Sequence, residues 1–104
     1  MVARLVKFSG ADPARLDAAL EWIRDRVLPT LEAQDGFAGY IGLWDGERRL
    51  AGGLTLWESR EAAEAADAKI GGLRQETAEK LGLQFESANL WDAPVVEIRA
   101  AVHA

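Results

Sequence analysis

Residues 37–57 limit the possible folds of this chain more than any other stretch. Two strand-like segments, Phe37 to Trp44 and Arg49 to Trp57, flank Asp45-Gly46, a dipeptide favoured in tight β-hairpins. Both alternate with a period of two. Ile41 and Leu43 share one face of the first strand, and Leu50, Leu54 and Leu56 share one face of the second. The opposite faces carry Tyr40, Trp44, Ala51, Thr55 and Trp57, with Gly42 and Gly53 between them. An even-length loop pairs residues of opposite parity, so each set stays together on one face of the ribbon. One face is aliphatic and uniform. The other has large rings spaced by small residues.

Helices on either side of this hairpin are announced by caps and breaks. Val2 to Ser9 reads as a first strand and Gly10-Ala11 as a turn. Asp12 can then accept a free helix N–H, and Pro13 suits the first helical position because its missing N–H would be unpaired there. Leu16, Leu20, Ile23, Val27 and Leu31 follow at helical spacing, with Trp22 at the edge of the stripe. Pro29 should kink or interrupt that helix, and Gly36 should end it. Ser59 can cap a second helix whose apolar face is Ala62, Ala66, Ile70 and Leu73. Gly71-Gly72 should break it, because two glycines cost about 2 kcal/mol relative to alanine. The helix resumes to about Leu81 and stops at Gly82. Leu83 to Trp91 is a last core strand, and beyond Pro94 the segment Val95 to Val102 reads as extended.

The order β-α-β-β-α-β makes one α+β domain over 1–104, with a core at 3–92 and a tail at 93–104. Two helices can cover only one face of a four-stranded sheet. The aliphatic face is expected to meet the helical stripe, leaving the face with Tyr40, Trp44 and Trp57 open. Monomers rarely expose a contiguous apolar patch of that size. Covering some 500 Å² would contribute on the order of 12 kcal/mol before association costs, at about 25 cal/mol/Å². A twofold homodimer closed on the aromatic face is the expectation, with Val95 to Val102 pairing across it.

Several function classes are excluded. A net charge of −5 provides no clustered basic surface for nucleic acid. The start, Met1 to Leu5, reads as a strand and not as a signal peptide. No apolar run nears the roughly 20 residues of a membrane helix. With no cysteine there is no disulfide, thiolate nucleophile or sulfur-ligated metal, which is compatible with a cytoplasmic protein. The single histidine, His103, lies in the tail, so no catalytic triad or metal cluster assembles around it. The acidic pairs Glu21/Asp25 and Glu61/Glu64 read as solvated helix faces.

Leu28-Pro29, Gly36-Phe37, the run Leu54-Thr55-Leu56-Trp57-Glu58-Ser59 and then Glu61-Ala62 resemble the dimeric α/β-barrel superfamily, in its antibiotic-biosynthesis-monooxygenase-like branch. The likeness spans about residues 3 to 92. It implies a ferredoxin-like antiparallel sheet, two of which form a barrel in the homodimer. It also implies a pocket within the barrel or between each sheet and its own helices. The superfamily includes cofactor-independent monooxygenases of aromatic polyketides, haem-degrading enzymes and proteins of no known activity. Haem-degrading members use an Asn on strand one, a Trp ending strand three and a His on helix two. Trp57 matches the Trp, but Ala3 to Phe8 has no Asn and Arg60 to Leu81 no His. No cofactor and no metal are expected.

Five residues are candidates for contact with a small aromatic ligand. Trp57, Tyr40 and Trp44 are either walls that stack on a planar molecule or interface packing. Arg4, a cation on a central strand, needs a carboxylate or a ligand anion. Asn89, on the face of the last strand that also carries Trp91, can bond a ligand carbonyl or satisfy the bend at Pro94. Gly42, Ala51 and Gly53 should leave a slot between the rings. Trp57→Ala should then weaken binding far more than it weakens the dimer, since the fold is expected to rest on the aliphatic face. No general base is evident, although oxygenation of an electron-rich phenol can draw on the substrate's own reactivity. Two functions fit: a cofactor-independent monooxygenase of a small aromatic substrate, or a non-catalytic dimeric domain that binds a small ligand or has a structural role.

Overall fold

The computed structural model describes residues 1–99. Strand β1 (Val2–Ser9) leads into a 3-10 turn (Pro13–Arg15) and helix α1 (Leu16–Trp22). A π-helical turn (Ile23–Val27) joins α1 to α2 (Leu28–Glu32). The hairpin β2 (Phe37–Asp45) and β3 (Leu50–Trp57) follows, then α3 (Arg60–Ile70), α4 (Leu73–Leu81) and β4 (Gln84–Asp92). The four strands form one antiparallel sheet in the order β2-β3-β1-β4, the arrangement of a ferredoxin-like α+β fold.

Local chemistry sets the element boundaries. The Asp12 carboxylate accepts from Ala14 N at 2.9 Å, and the Ser59 hydroxyl accepts from Ala62 N at 3.1 Å. Gly71-Gly72 separates α3 from α4, and Gly82 closes α4 in the left-handed conformation at φ 66°. Gly36 has φ 79°, and a Cβ there would fall 2.5 Å from that of Ala62. Only glycine lets β2 begin so close to α3. The hairpin loop spans four residues, 46–49, and Arg49 takes a left-handed φ of 57°. Its even length preserves the parity: Trp44 pairs with Ala51 and Leu43 with Gly52.

The first helix departs from its expected stripe. Ala19 is buried and Leu20 is exposed. The inward positions are Ala19, Ile23, Val27 and Leu31, spaced by four. Steps of four overshoot an α-helix of 3.6 residues per turn, and the π-turn over Ile23–Val27 absorbs the excess. Pro29 follows at once; its ring removes the N–H that would have bonded the Asp25 carbonyl. Arg26, within the π-turn, forms two hydrogen bonds to Glu76 on α4 at 3.0 and 3.1 Å, tying the two helical arms together.

The two sheet faces are segregated as the alternation requires, but their expected assignment is inverted. Trp57 is 2% exposed and packs with Val2, Val27, Leu31, Ala63 and Ala66 beneath the helices. Phe37 meets it edge to face, with ring centroids 5.6 Å apart. Tyr40 packs against the same cluster. On the other side Ile41 and Leu43 are each 47% exposed and Trp91 60%. The reason is volume. The helices present alanines at Ala19, Ala63 and Ala66, and large rings fill the space that such small side chains leave.

No strand forms within 95–99, so the expected extended segment from Val95 is not a strand over its described part. The remainder of that segment, and His103, lie outside the described residues. Among the described residues no helix is long and apolar enough to cross a membrane.

Candidate ligand-binding cavity

Between the sheet and the helices lies a cavity of about 130 Å³. Its floor is the aromatic face: Val6 from β1, Tyr40 and Trp44 from β2, and Thr55 and Trp57 from β3. Its roof is Ile23 and Val27 from the π-turn, Ile70 from α3, and Leu73 and Thr77 from α4. An apolar cavity of roughly 150 Å³ is large enough to take up benzene, so the space suits about one aromatic ring.

The polar groups in the lining are few. Trp57 Nε1 donates to Thr55 Oγ1 at 2.8 Å, and Trp22 Nε1 donates to Thr77 Oγ1 at 2.9 Å. These bonds satisfy both indoles and fix their rotamers. Among the described residues the Tyr40 hydroxyl has no hydrogen-bond partner, although burial raises the pKa of its phenol above the ordinary value of 10.0. At neutral pH it is therefore an uncharged donor bordering an apolar space. Gly53 and Gly42 make room for it: a Cβ would come within 3.0 Å of the Tyr40 ring at Gly53 and 3.4 Å at Gly42. Part of the slot between the rings is thus filled by Tyr40 itself.

Arg4 reaches from β1 to α3. Its Nη1 donates to Asp67 Oδ1 at 3.3 Å and lies 3.5 Å from the Ala63 carbonyl oxygen. Arg74, on α4, donates to the same Asp67 oxygen. Desolvation lowers the Arg4 pKa, against the stabilising charge of Asp67. Asp67 and Arg74 were not among the sequence candidates. Their signal was present: Ala63, Ala66, Asp67, Ile70 and Arg74 recur at three- and four-residue spacing, placing a carboxylate within the inward stripe.

Four of the five sequence candidates therefore line one cavity: Arg4, Tyr40, Trp44 and Trp57. Asn89 does not. It pairs with Leu5 on the outer, aliphatic face and is exposed there. Strand alternation separates it from Leu90, which packs towards the helices. The expectation for Trp57→Ala also changes. A ring this deeply buried supports the fold, so its removal tests stability before it tests binding.

A single four-stranded antiparallel sheet with helices on one face and a cavity between them defines the class: a ferredoxin-like α+β fold. Solved structures of that fold superpose on the chain at low sequence identity. A monooxygenase from the gene ActVA-Orf6 of Streptomyces coelicolor, in complex with nanaomycin D, is 16% identical. The match covers 95% of this chain and 92% of that one, with a TM-score of 0.71. SnoaB, a cofactor-independent oxygenase from Streptomyces nogalater, is 20% identical over 91% and 94% of the two chains, with a TM-score of 0.65. A protein of unknown function from Nitrosomonas europaea is 17% identical over 96% and 95%, with a TM-score of 0.67. No family model and no curated protein matches the sequence significantly.

Proposed function

We propose that the chain is a homodimeric, cofactor-independent monooxygenase that holds a small aromatic substrate in the cavity beneath its helices. The observation that carries this reading is the Tyr40 hydroxyl, a donor without a partner among the described residues, at the edge of an apolar, ring-lined space. A planar phenol there would stack against indole and phenol rings. Tyr40 would donate to an oxygen of the substrate and orient it. The oxygenase names of two proteins of the same fold support the choice of chemistry.

The reaction needs no reductant other than the substrate. The ring carbon para to a phenol hydroxyl, a CH2 in the keto tautomer, gives up both hydrogens and becomes C=O. One atom of dioxygen enters that carbonyl, and the other leaves as water with the two hydrogens. The four electrons that dioxygen takes up all come from the substrate.

The outer face supports the homodimer. Ile41, Leu43, Leu50 and Trp91 lie on it and are all largely exposed, and monomers seldom leave such a patch uncovered. The face is largely apolar, suited to meeting a second sheet. A cysteine-free chain of this kind is at home in the cytoplasm.

A non-catalytic binding role has its own supporting observation. Among the described residues Asp67 is the carboxylate that lines the cavity, and two guanidiniums donate to one of its oxygens, so it is engaged as an ion-pair partner. The experiment that separates the readings follows dioxygen consumption with hydroxylated benzenes in the presence of a chelator, for wild type and Tyr40→Phe. Consumption matched by product, and reduced in the variant, supports the oxygenase. Saturable binding without consumption would leave the binding domain.

A further inference from the structure

The ionic groups beside the cavity do not balance. Arg4 and Arg74 share one carboxylate, Asp67, and both donate to its Oδ1. The two guanidiniums are largely withdrawn from solvent, 13% of Arg4 and 25% of Arg74 being exposed, while Asp67 is 39% exposed. Glu64, one turn earlier on α3, adds a favourable field at Arg4 but is exposed and forms no ion pair among the described residues. Two cations against one close anion leave a net positive charge on the wall of an otherwise apolar space.

Unused hydrogen-bonding capacity lies in the same place. A guanidinium carries five N–H donors in a fixed fork. Arg4 engages the protein through Nη1 alone and Arg74 through Nη2 alone, among the described residues. No side-chain nitrogen or oxygen there is both buried and without a partner, so the remaining donors open onto solvent or the cavity. A desolvated cation is costly unless paired, and a planar fork matches a planar anion.

We infer that Arg4 and Arg74 form an anion subsite, and that the cavity takes an aromatic acid of about one ring, its carboxylate or equivalent anionic group on the two guanidiniums. This inference rests on the cavity being a ligand site, as proposed above. It adds the charge and the size of the ligand. The ring occupies the floor between Tyr40 and Trp44, and the acid group lies towards α4. A neutral ring of the same shape loses the charge-assisted hydrogen bonds. A fused polycyclic acid exceeds the volume.

The test is calorimetric titration of the intact protein with benzoate, with benzamide as its neutral isostere, and with anthracene-9-carboxylate. Benzoate should bind about tenfold or more tighter than benzamide, the scale of one charge-assisted hydrogen bond, and the tricyclic acid should bind more weakly than benzoate. In Arg74→Gln the benzoate-to-benzamide ratio should collapse towards unity. In Asp67→Asn, which leaves both arginines uncompensated, the ratio should widen, a gain that partial unfolding cannot imitate. Equal wild-type affinities for benzoate and benzamide would overturn the anion subsite while leaving the cavity as a ligand site. So would a ratio that moves in neither variant. Binding of neither monocyclic probe would remove both.

Discussion

The Tyr40 ring stands over Gly53: a Cβ at that glycine would lie 3.0 Å from the ring and 3.1 Å from its hydroxyl. The absence of a side chain at residue 53 therefore sets where the phenol sits. Gly53→Ala should push Tyr40 towards the helices and shrink the cavity, at about 1–3 kcal/mol of stability, the usual range for overpacking. Thermal denaturation and benzamide titration read the two effects. An unchanged melting temperature and affinity would show that the ring yields freely.

Tyr40 is the only tyrosine in the chain, so tyrosinate absorbance reports this group alone. Burial raises its pKa above 10.0. The sign follows from linkage: the protonated form is favoured in the folded state, so the contribution to stability is complete below pH 10 and is lost as pH rises through the folded pKa. Alkaline titration of the folded protein should give a midpoint above that of free tyrosine. Tyr40→Phe should weaken the loss of stability at high pH. A midpoint at or below 10 would place the phenol in water.

The exposed outer face predicts that association is broken there and not at the aromatic face. The double substitution Ile41→Glu and Leu50→Glu should convert a dimer into a monomer of 11.3 kDa without disturbing the cavity, since neither residue lines it. Light scattering on wild type and variant decides the matter. A wild type that is monomeric at micromolar concentration removes the homodimer.

Gly36→Ala combines a left-handed φ of 79° with a Cβ only 2.5 Å from that of Ala62. The conformational cost of about 1–2 kcal/mol adds to overpacking against α3. A total loss of about 2–4 kcal/mol is expected, measured by denaturant unfolding. A loss below about 0.5 kcal/mol, the level of an ordinary surface change, would mean that α3 moves aside at little cost.

Trp57→Ala should destabilise by about 3–5 kcal/mol, because the ring is 2% exposed at the centre of the core. Trp44→Ala, on a half-buried ring at the hairpin end, should cost less and should show its effect mainly in ligand affinity. The same unfolding and titration experiments rank the two. Equal stability losses would contradict the difference in burial.

Much of this organisation was legible in the residues. Asp12-Pro13, Ser59, Gly71-Gly72 and Gly82 mark helix ends because each satisfies or frees specific backbone groups, a local matter. The hairpin alternation sorted Tyr40, Trp44, Thr55 and Trp57 onto one face, because successive side chains on a strand point to opposite sides whatever lies beyond them. Arg4 likewise announced a need for a partner, and a carboxylate is at hand in Asp67.

Only the tertiary structure decided which face lies under the helices. Both faces of the hairpin are apolar, so a period of two separates them without labelling them. The label depends on volume. Alanines at Ala19, Ala63 and Ala66 leave space that Trp57 and Tyr40 fill, and that fit exists only once strands and helices are assembled. The same is true of the cavity and its charge. Arg4 and Arg74 are 70 positions apart in sequence, and sharing one oxygen of Asp67 requires β1, α3 and α4 to meet at one place. Asn89 fell on the far side for the converse reason: its strand's register, and not its chemistry, fixed the direction in which it points.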